Sequence, residues 1–390
     1  MNRLLAGPSP AAGAESAASH IGRLGRLPDA GPHFIDTLTQ SRIVGRGGAG
    51  FAAGTKWRAV ATHSRDNAVI VVNGAEGEPQ SQKDRLLMST RPHLILDGAF
   101  IAARVLRARG VMLYIGERHT AARDGMMRAL AERSEPERAL VATQTAPARY
   151  VAGAESAAIH LINEGVATPT TMPPFPFERG VDGMPTLVHN VETLAQIALL
   201  ARHGAPSGTS LITVAGAVAK KGVLEVDSET TVGDVIKLAG GTEGWSRAVL
   251  IGGYFGAWAD TAAAWDLPLD ATGLRNRGLS LGCGVIGVLA SNRCPVCEVA
   301  GIMHYLANES SAQCGPCFFG LRALADACGR ISEKGTSRED IARLNRWAEQ
   351  VRARGACRHP DGTIMFLQSA LVTFAPEFAD HRPHVTKLAA

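Results

Sequence analysis

A thirteen-residue glycine-rich segment constrains this chain more than any other feature of its sequence. Gly45–Trp57 contains five glycines, together with Arg46 and Lys56. Backbone N–H groups can converge on a phosphate only where side chains do not obstruct them, and nearby cations add charge-assisted hydrogen bonds. The segment therefore predicts a loop that binds an anionic ligand, with a purely structural glycine-rich turn as the alternative.

The same segment contains the pattern Gly-x-Gly-x-x-Gly, which by itself is only weakly specific. An ordinary dinucleotide-binding turn needs a strand directly before its first glycine. Here only Arg42-Ile43-Val44 separates the glycines from a stretch with helical periodicity. We therefore exclude the ordinary Rossmann arrangement for this loop.

Short apolar runs alternate with helical patterns from about residue 34 to residue 203. Ala68–Asn73 and Val111–Ile115 have the length and composition of parallel strands that are buried on both faces. Gly98–Arg107 and Thr120–Arg133 follow them with the periodicity of helices. This βαβ succession predicts an α/β fold whose ligands bind at the carboxyl ends of the strands.

The pattern changes along the chain and predicts four regions. Residues 1–33 are rich in small residues and proline, so we expect a flexible N-terminal arm. Residues 34–205 form the predicted α/β domain that binds the cofactors. Residues 206–290 combine short strands with one short helix, which indicates a β-grasp module, and residues 291–390 have the periodicity of a small helical bundle.

Bulk properties exclude several classes of protein. The formal net charge of +4 is too small to indicate nucleic-acid binding. No apolar run approaches the roughly 18 residues that cross a bilayer. All seven cysteines lie in the last third of the chain, which indicates a metal or cluster region in a reducing compartment, not a disulfide framework. We expect a cytoplasmic protein, with attachment to the periphery of a membrane complex as the alternative.

Four further segments carry polar or aromatic side chains suited to a cofactor. Asn73–Pro79 follows the first predicted strand, and its carboxylates and amide suit hydrogen bonds to a ribityl chain, a flavin edge or a ribose. An acidic surface turn is the alternative. Pro173–Pro176 fixes an extended segment that presents Phe175 as a stacking surface, unless that ring packs in the core. Tyr150–Ala157 and Asn190–Thr193 complete the set.

Taken in chain order with the glycine-rich segment Gly45–Trp57, these segments resemble those of the NADH-binding flavoprotein subunit of respiratory complex I and of related diaphorase subunits of hydrogenases and formate dehydrogenases. The resemblance covers about Ser41 to His381. It implies bound FMN, NADH as substrate, hydride transfer to the flavin, and a [4Fe–4S] cluster that takes electrons singly. It implies FMN contacts at Gly45, Arg46, Gly47, Gly48, Lys56, Asn73, Glu76, Asn190 and Thr193. It implies NADH contacts at Phe51, Glu78, Tyr150, Glu155 and Phe175.

Some positions depart from the residues usual in that family. Ala75 stands where aspartate is usual, Ala154 where glutamate is usual, and Met172 where lysine is usual. Ala59 lies near a position that is usually aromatic. The segment Asn73–Pro79 is also similar to that of Rnf-type flavoprotein subunits. The FMN positions thus match better than the NADH positions, and an FMN protein that exchanges electrons with ferredoxin is the alternative.

The family's cluster motif is Ser-Cys-Gly-x-Cys-x-x-Cys, with a fourth cysteine far downstream. Cys314, Cys317 and Cys357 occupy matching positions, and Ser311 replaces the first cysteine. Thiolates are the ligands that iron–sulfur clusters prefer, so the serine weakens the match. The resemblance implies a cluster held by the three cysteines, with Ser311 as the fourth metal-site residue.

Several alternatives stay open in the cysteine region. In one alternative a four-iron cluster forms, and its fourth ligand is Ser311 or a group that replaces it. In another the cluster is a three-iron or labile type. In the last, no cluster forms. The replacement candidates are Cys297, Cys328 and His359. Cys294 and Cys297 form a Cys-x-x-Cys pair, which suits a metal, a redox dithiol or simple burial. We expect Cys283 and Cys328 to be structural.

The sequence therefore predicts an FMN-dependent oxidoreductase. Hydride transfer requires no side-chain acid or base, so we expect no dedicated catalytic residue. The electrons are expected to pass to an Fe–S centre and then to a ferredoxin or another redox subunit. A scaffold subunit that has lost its cluster or cofactor is the rival hypothesis. Ser311 favours that rival, and the combination of Arg46 and Lys56 among the glycines disfavours it.

Overall fold

The computed structural model describes residues 3–337 and 339–383. The chain groups into two compact units. The first unit comprises Met1–Thr213, Gly222–Ser228 and Gly282–Gly284. The second comprises Val214–Lys221, Glu229–Leu281 and Val285–Ala390. The four domain limits expected from the sequence stay a prediction.

A four-stranded parallel sheet forms the centre of the first unit. Its strand order is β3-β2-β1-β4, so β1 lies between β2 and β4. The strands are β1 (Ala68–Gly74), β2 (Ala108–Gly116), β3 (Val141–Ala146) and β4 (Thr186–Asn190). The predicted α/β class is confirmed, and both strands expected from apolar runs are present. Their side chains are buried on both faces, as the lack of alternation predicts.

Nine helices flank this sheet among the described residues of the first unit. They are α1 (Ala17–Leu24), α2 (Phe34–Gln40), α3 (Ala53–His63), α4 (Lys83–Thr90), α5 (Pro92–Val105), α6 (Thr120–Ala131), α7 (Glu135–Ala139), α8 (Glu155–Glu164) and α9 (Val191–His203). Helix α5 is buried almost throughout because α9, α6 and the strands β1 and β2 all pack on it. Gly98 permits this approach, since a Cβ there would lie 2.0 Å from the carbonyl oxygen of Leu194.

The described N-terminal residues are part of the first unit and pack in its interior, so the expectation of a flexible arm is wrong. The buried Arg91 donates hydrogen bonds of 2.8 Å to the carbonyl oxygens of Leu5 and Ala6. Leu4 is fully buried. Small residues and proline make the segment look mobile in isolation, but a cation more than eighty positions away in sequence holds its backbone.

A buried ionic cluster fixes the same segment at α1. The Nε2 atom of His20 lies 2.7 Å from Oδ2 of Asp97. Asp97 also pairs with Arg133 at 2.7 Å and with Arg202. Burial alone would raise the pKa of Asp97, but the His20 hydrogen bond and the two arginines hold it at about 2. The N-terminal segment therefore contributes a partner to a charged group in the core.

A second sheet has the strand order β6-β5-β9-β7-β8, and β7 is antiparallel to β8 and β9. Its strands are β5 (Thr209–Gly216), β6 (Gly222–Asp227), β7 (Ala248–Ile251), β8 (Ala257–Asp260) and β9 (Val285–Val288). The associated helices are α10 (Val232–Leu238), α11 (Thr261–Ala264) and α12 (Ala271–Asn276). Helix α10 begins at Thr231, which exchanges capping hydrogen bonds with Asp234.

The C-terminal part is helical, as predicted. Its helices are α13 (Pro295–Glu309), α14 (Arg322–Lys334), α15 (Asp340–Val351), α16 (His359–Thr373) and α17 (Ala375–Ala379). Helix α16 ends at Thr373 and α17 begins at Ala375, because Pro376 cannot donate the backbone hydrogen bond of a continuing helix. Within the described ranges, no helix is both long and apolar enough to cross a membrane.

Candidate functional site

The glycine-rich segment forms a closed loop between α2 and α3. The backbone N–H of Gly45 donates to the carbonyl oxygen of Phe51 at 2.8 Å, which joins the two ends of the loop. Gly48 has φ +114° and Gly50 has φ +62°, backbone conformations that residues with a Cβ rarely adopt. No atom lies within 4 Å of the position that a Cβ would take at either glycine. The space beside these two glycines at the tip of the loop is thus open.

The loop lies where the strand order of the parallel sheet reverses. From β1 the chain continues to β2 on one side, and it reaches β4 on the other side only later. Asn73 and Asn190, at the carboxyl ends of β1 and β4, are paired in register. A Cβ on Gly47 would lie 3.5 Å from Cβ of Asn190, so the loop borders these strand ends. Such a reversal point is where open α/β sheets bind their ligands.

The first turn of α9 anchors the loop. The backbone N–H of Arg46 donates to Oγ1 of Thr193 at 2.9 Å. Its Nε donates to Oε1 of Glu192 at 3.0 Å, and both side chains are buried. Asn190 caps the helix by accepting a hydrogen bond from the backbone N–H of Glu192. The motif Asn190–Thr193 thus holds the glycine loop through backbone, hydroxyl and carboxylate contacts.

A buried network of four charges supports this anchor. Lys83 Nζ lies 2.9 Å from Oε2 of Glu192 and 2.7 Å from Oδ1 of Asp84. The Nδ2 of Asn190 donates to Oδ2 of Asp84 at 2.6 Å. With Arg46, two cations and two carboxylates share one buried region. Lys83, Asp84 and Glu192 were not predicted as site residues, although Glu192 lies inside the Asn190–Thr193 motif.

The network shifts the pKa values of its members. Burial raises the pKa of Asp84 to about 6, with Lys83 acting against the shift. Burial disfavours the charge of Lys83, but the carboxylates of Asp84 and Glu192 hold its pKa above the ordinary value. Burial would raise the pKa of Glu192, but Arg46 and Lys83 hold it below the ordinary value. Glu192 therefore remains the anion that neutralises both cations.

The guanidinium of Arg46 has a buried nitrogen available to a ligand. Its Nη2 is buried and has no hydrogen-bond partner in the structure. A buried unpaired guanidinium nitrogen is costly, and an anion is the partner it favours most. The open glycines and this nitrogen together fit the phosphate of FMN. The predicted FMN residues Gly45, Gly47 and Gly48 belong to the same loop.

Lys56 and Glu155, predicted for different ligands, form a pair. Lys56 Nζ lies 2.8 Å from Oε2 of Glu155 and donates to the carbonyl oxygen of Val188 at 2.8 Å. An ammonium has three donors, so one remains for a ligand. Glu155 is the first residue of α8, where a carboxylate is favoured by the helix dipole. The pair places a cation and an anion of the predicted site side by side.

The carboxylate of Glu76 accepts hydrogen bonds from residues that follow it closely in the chain. Its Oε1 accepts from the Ser81 hydroxyl at 2.7 Å and the Asp84 backbone at 2.9 Å. Its Oε2 accepts from the backbone and the Nε of Arg85, both at 3.0 Å. These bonds occupy four acceptor positions of the carboxylate, and the FMN contact expected of Glu76 stays a prediction. Asn73 likewise donates to the carbonyl oxygen of Gly153 at 3.0 Å. Both residues shape the loop that follows β1.

The residues predicted for the dinucleotide are partly brought together. The Tyr150 hydroxyl donates to Oε2 of the buried Glu78 at 3.3 Å. Phe51 is 56% exposed at the edge of the glycine loop. Phe175 is 41% exposed and stacks on Phe177, with ring centroids 5.3 Å apart and nearly parallel planes. A ligand ring held between Phe51 and Phe175 stays a prediction.

Cys283, expected to be a structural cysteine, is a neighbour of this site. It belongs to the short segment Gly282–Gly284 of the first unit. Burial raises the pKa of its thiol, and the carboxylate of Glu78 raises it further. A Cβ on the adjacent Gly284 would lie 3.4 Å from Nη2 of Arg46. Only the fold brings this segment to the site, since it lies far from the glycine loop in sequence.

The three cysteines predicted for the cluster are neighbours in the second unit. Cys317 lies in a π-helical turn, Pro316–Leu321, just before α14. Burial, with the adjacent thiols of Cys314 and Cys357, raises the pKa of Cys317 to about 12. The hydroxyl hydrogen-bonded to Cys317 belongs to Ser310. Ser311, which occupies the family's cysteine position, stays a predicted ligand.

The other candidates for the fourth ligand have different surroundings. Burial alone raises the pKa of Cys328 to about 12, as expected of a structural cysteine. The buried His359 has its Nε2 within 2.8 Å of the carbonyl oxygen of Leu306. Cys297 lies with Cys294 and His381 in a group of its own.

Three family models match the chain. The Nuo51 FMN-binding domain matches residues 38–199, and the SLBB domain matches residues 211–253. The NADH-ubiquinone oxidoreductase-F iron-sulfur binding region matches residues 298–381. The NADH-quinone oxidoreductase F-type subunit of Escherichia coli is 30% identical over 387 residues, which cover 91% of this chain and 84% of the relative.

This chain belongs to the family of NADH-quinone oxidoreductase F subunits. The alpha subunit of the NAD-reducing hydrogenase HoxS of Cupriavidus necator is 30% identical over 83% of this chain and 56% of its own length. The solved structure of an NAD⁺-reducing [NiFe]-hydrogenase in the air-oxidized state matches with a TM-score of 0.81 and 28% identity. That match covers 90% of this chain, which spans 63% of the hydrogenase chain.

The matched regions of this F-subunit relative contain the predicted sites. Every residue predicted to contact FMN or NADH falls within residues 38–199. Cys314, Cys317, Cys357 and Ser311 fall within residues 298–381. Cys294 and Cys297 lie just before that region.

Proposed function

We propose that this F-subunit relative oxidises NADH with bound FMN and passes the electrons singly to an iron–sulfur cluster in its C-terminal region. The observation that carries the proposal is the open glycine loop, held by Arg46 on the start of α9, with a buried guanidinium nitrogen left for an anion. When bound, FMN supplies the conversion of a two-electron hydride transfer into single-electron transfers. The chain supplies binding, orientation and charge.

The proposed roles follow from the contacts. The glycine loop and Arg46 hold the FMN phosphate, because unobstructed N–H groups and a guanidinium favour an anion. Glu192 and Thr193 position Arg46 and act only through it. Tyr150 and Glu78 form a hydrogen-bonded pair that suits the hydroxyls of a ribose. Phe51 offers an exposed ring for stacking.

The cluster is proposed to bind Cys314, Cys317 and Cys357, with Ser311 at the fourth position. The adjacency of the three thiols supports the ligand set. The name of the Escherichia coli relative describes one subunit of an oxidoreductase, and that of the HoxS relative one subunit of a hydrogenase. The acceptor beyond the cluster is accordingly proposed to be another redox subunit or a ferredoxin, in the cytoplasm.

The first experiment is a spectrum of the anaerobically purified chain. Flavin bands, broad cluster absorption and rapid bleaching of the flavin by NADH are expected. If ferredoxin reduces the flavin and NADH does not, the ferredoxin-linked alternative is the correct one. Ala75, Ala154 and Met172 favour that alternative. A colourless protein after reconstitution would refute both.

A matched pair of variants tests the phosphate site. Arg46→Met removes a charge-assisted hydrogen bond worth about 1.5–3 kcal/mol, so FMN should bind about 10- to 150-fold more weakly. Arg58→Met removes an exposed arginine whose partner is Asp36, and it should leave FMN affinity unchanged. Equal FMN affinity in both variants would contradict the assignment of Arg46.

A further inference from the structure

Three potential metal ligands converge in the second unit, apart from the predicted cluster cysteines. The ligand atoms of Cys294, Cys297 and His381 all lie within 4.8 Å of one another. The two cysteines are half-buried and the histidine is buried. Within residues 3–337 and 339–383, no other trio of histidine, cysteine or acidic side chains is so compact. The proposed flavin chemistry uses none of the three.

Their spacing suits a single ion. Zinc–sulfur bonds of about 2.3 Å and zinc–nitrogen bonds of about 2.0 Å place two ligand atoms of a tetrahedron about 3.5–3.8 Å apart. The observed distance from Cys294 Sγ to Nδ1 of His381 is 3.8 Å. The cysteines of a cubane cluster each bind a different iron, so they do not need to approach one another in this way. The geometry therefore favours a mononuclear site.

Hydrogen bonds to Ser332 orient two of the three side chains as metal ligands are usually oriented. The Nε2 of His381 lies 3.1 Å from the carbonyl oxygen of Ser332, which can only accept, so Nε2 carries the proton. The other ring nitrogen, Nδ1, faces the Cys294 sulfur. The Ser332 hydroxyl donates to Cys297 Sγ at 3.2 Å. A histidine whose second nitrogen bonds a carbonyl is the usual arrangement of a metal ligand.

Local structure orients the two cysteines. Cys294 is the N-cap of α13, and Cys297 lies in its first turn. The backbone N–H groups of Val296 and Cys297 hydrogen-bond to the Cys294 sulfur and so fix its direction. Two thiolates and a neutral imidazole give a site without net charge around a divalent cation. His381 lies 87 positions after Cys294, so an ion would join the end of the helical region to its beginning.

We propose that Cys294, Cys297 and His381 bind one zinc-class divalent ion, with a fourth position filled by water or another ligand. The ion is structural, and it is separate from the cluster of Cys314, Cys317 and Cys357. A redox dithiol is the competing interpretation of Cys-x-x-Cys. The two interpretations differ in the state they predict for the anaerobic protein, which is a bound ion for the metal site and a Cys294–Cys297 disulfide for the redox pair.

The test measures zinc, iron and FMN in the full chain, purified anaerobically. The wild type should carry about one zinc per chain. Cys297→Ser should lose zinc while keeping iron and FMN. Cys357→Ala should show the reverse pattern, with iron lost and zinc kept. His381→Ala should lose zinc, and His381→Cys should retain it because a thiolate can replace the imidazole.

Cobalt provides a readout that does not depend on variants folding. Zinc-depleted wild type titrated with Co²⁺ should develop the visible bands of a tetrahedral site and a thiolate charge-transfer band, saturating at about one equivalent. Absence of these bands together with absence of zinc would overturn the proposal. Iron falling in step with zinc in Cys297→Ser would also overturn it, and so would a Cys294–Cys297 disulfide in the anaerobic protein.

Discussion

Replacing Glu192 by glutamine tests whether the buried charge network holds the glycine loop. Glu192 is fully buried, lies 3.0 Å from Arg46 and 2.9 Å from Lys83, and accepts from the Leu211 backbone at 3.0 Å. Glutamine has nearly the same shape as glutamate but no charge. The buried cations Arg46 and Lys83 then have only the Asp84 carboxylate to neutralise them. Removing one partner of a buried ion pair costs about 3–5 kcal/mol.

The magnitude can be measured by calorimetry of the FMN-free chain. For a unit of this size, each kcal/mol lowers Tm by about 2–4 °C, so Glu192→Gln should lower it by about 6–20 °C. Asp36→Asn breaks the exposed pair with Arg58 and should have little effect. If Glu192→Gln lowers Tm no more than Asp36→Asn, the network does not carry the stability assigned to it.

A double variant distinguishes lost charge balance from lost packing. Lys83→Met in the Glu192→Gln background removes one cation, so the positive charge of Arg46 is again equalled by the negative charge of Asp84. The double variant should be less destabilised than the sum of the two single variants, by an interaction energy on the order of 0.5–3 kcal/mol. Additive losses would indicate that the charges do not act as one unit.

Three further predictions concern other contacts. The His20 hydrogen bond and two arginines depress the pKa of Asp97 to about 2 from its ordinary 3.8. Its contribution to stability is therefore complete above about pH 4 and lost as pH falls toward 2, and Asp97→Asn should flatten the dependence of Tm on pH in that window. Tyr150→Phe removes the hydrogen bond to a buried carboxylate and should raise KM for NADH while FMN content stays constant; unchanged KM would exclude it from the dinucleotide site. Gly98→Ala should destabilise the first unit strongly, because its Cβ would lie 2.0 Å from the Leu194 carbonyl oxygen, whereas Gly22→Ala in α1, with open space, should be neutral or stabilising in thermal unfolding.

Local patterns in the sequence predict local structure well. The two buried strands β1 and β2 follow from short continuous apolar runs, because each run lies within one element. Strand β4 was missed, since Thr186–Asn190 has only two apolar residues. The glycine loop was found because its composition is unusual by itself.

The partners of the site residues could not be predicted, because they come from distant parts of the chain. Lys83 meets Glu192 across more than a hundred positions, and nothing near Lys83 in sequence indicates this. The resemblance implies an FMN contact for Glu76, but it does not reveal that Ser81, Asp84 and Arg85 donate hydrogen bonds to both oxygens of this carboxylate. Cys294 and Cys297 were noted as a pair, whereas His381 becomes their neighbour only through the fold.

The packed N-terminal segment changes how shortened versions of this protein should be interpreted. Expressing the chain without residues 1–25 removes no predicted ligand contact, yet it takes His20 from the buried Asp97 and the carbonyl partners from Arg91. Removing the buried Leu4 exposes the apolar surface that it covers, and Asp97 and Arg91 lose partners. Both changes would favour aggregation and degradation by proteases. Loss of activity after such trimming would therefore report a damaged scaffold, and it would say nothing about a role of this segment in redox chemistry.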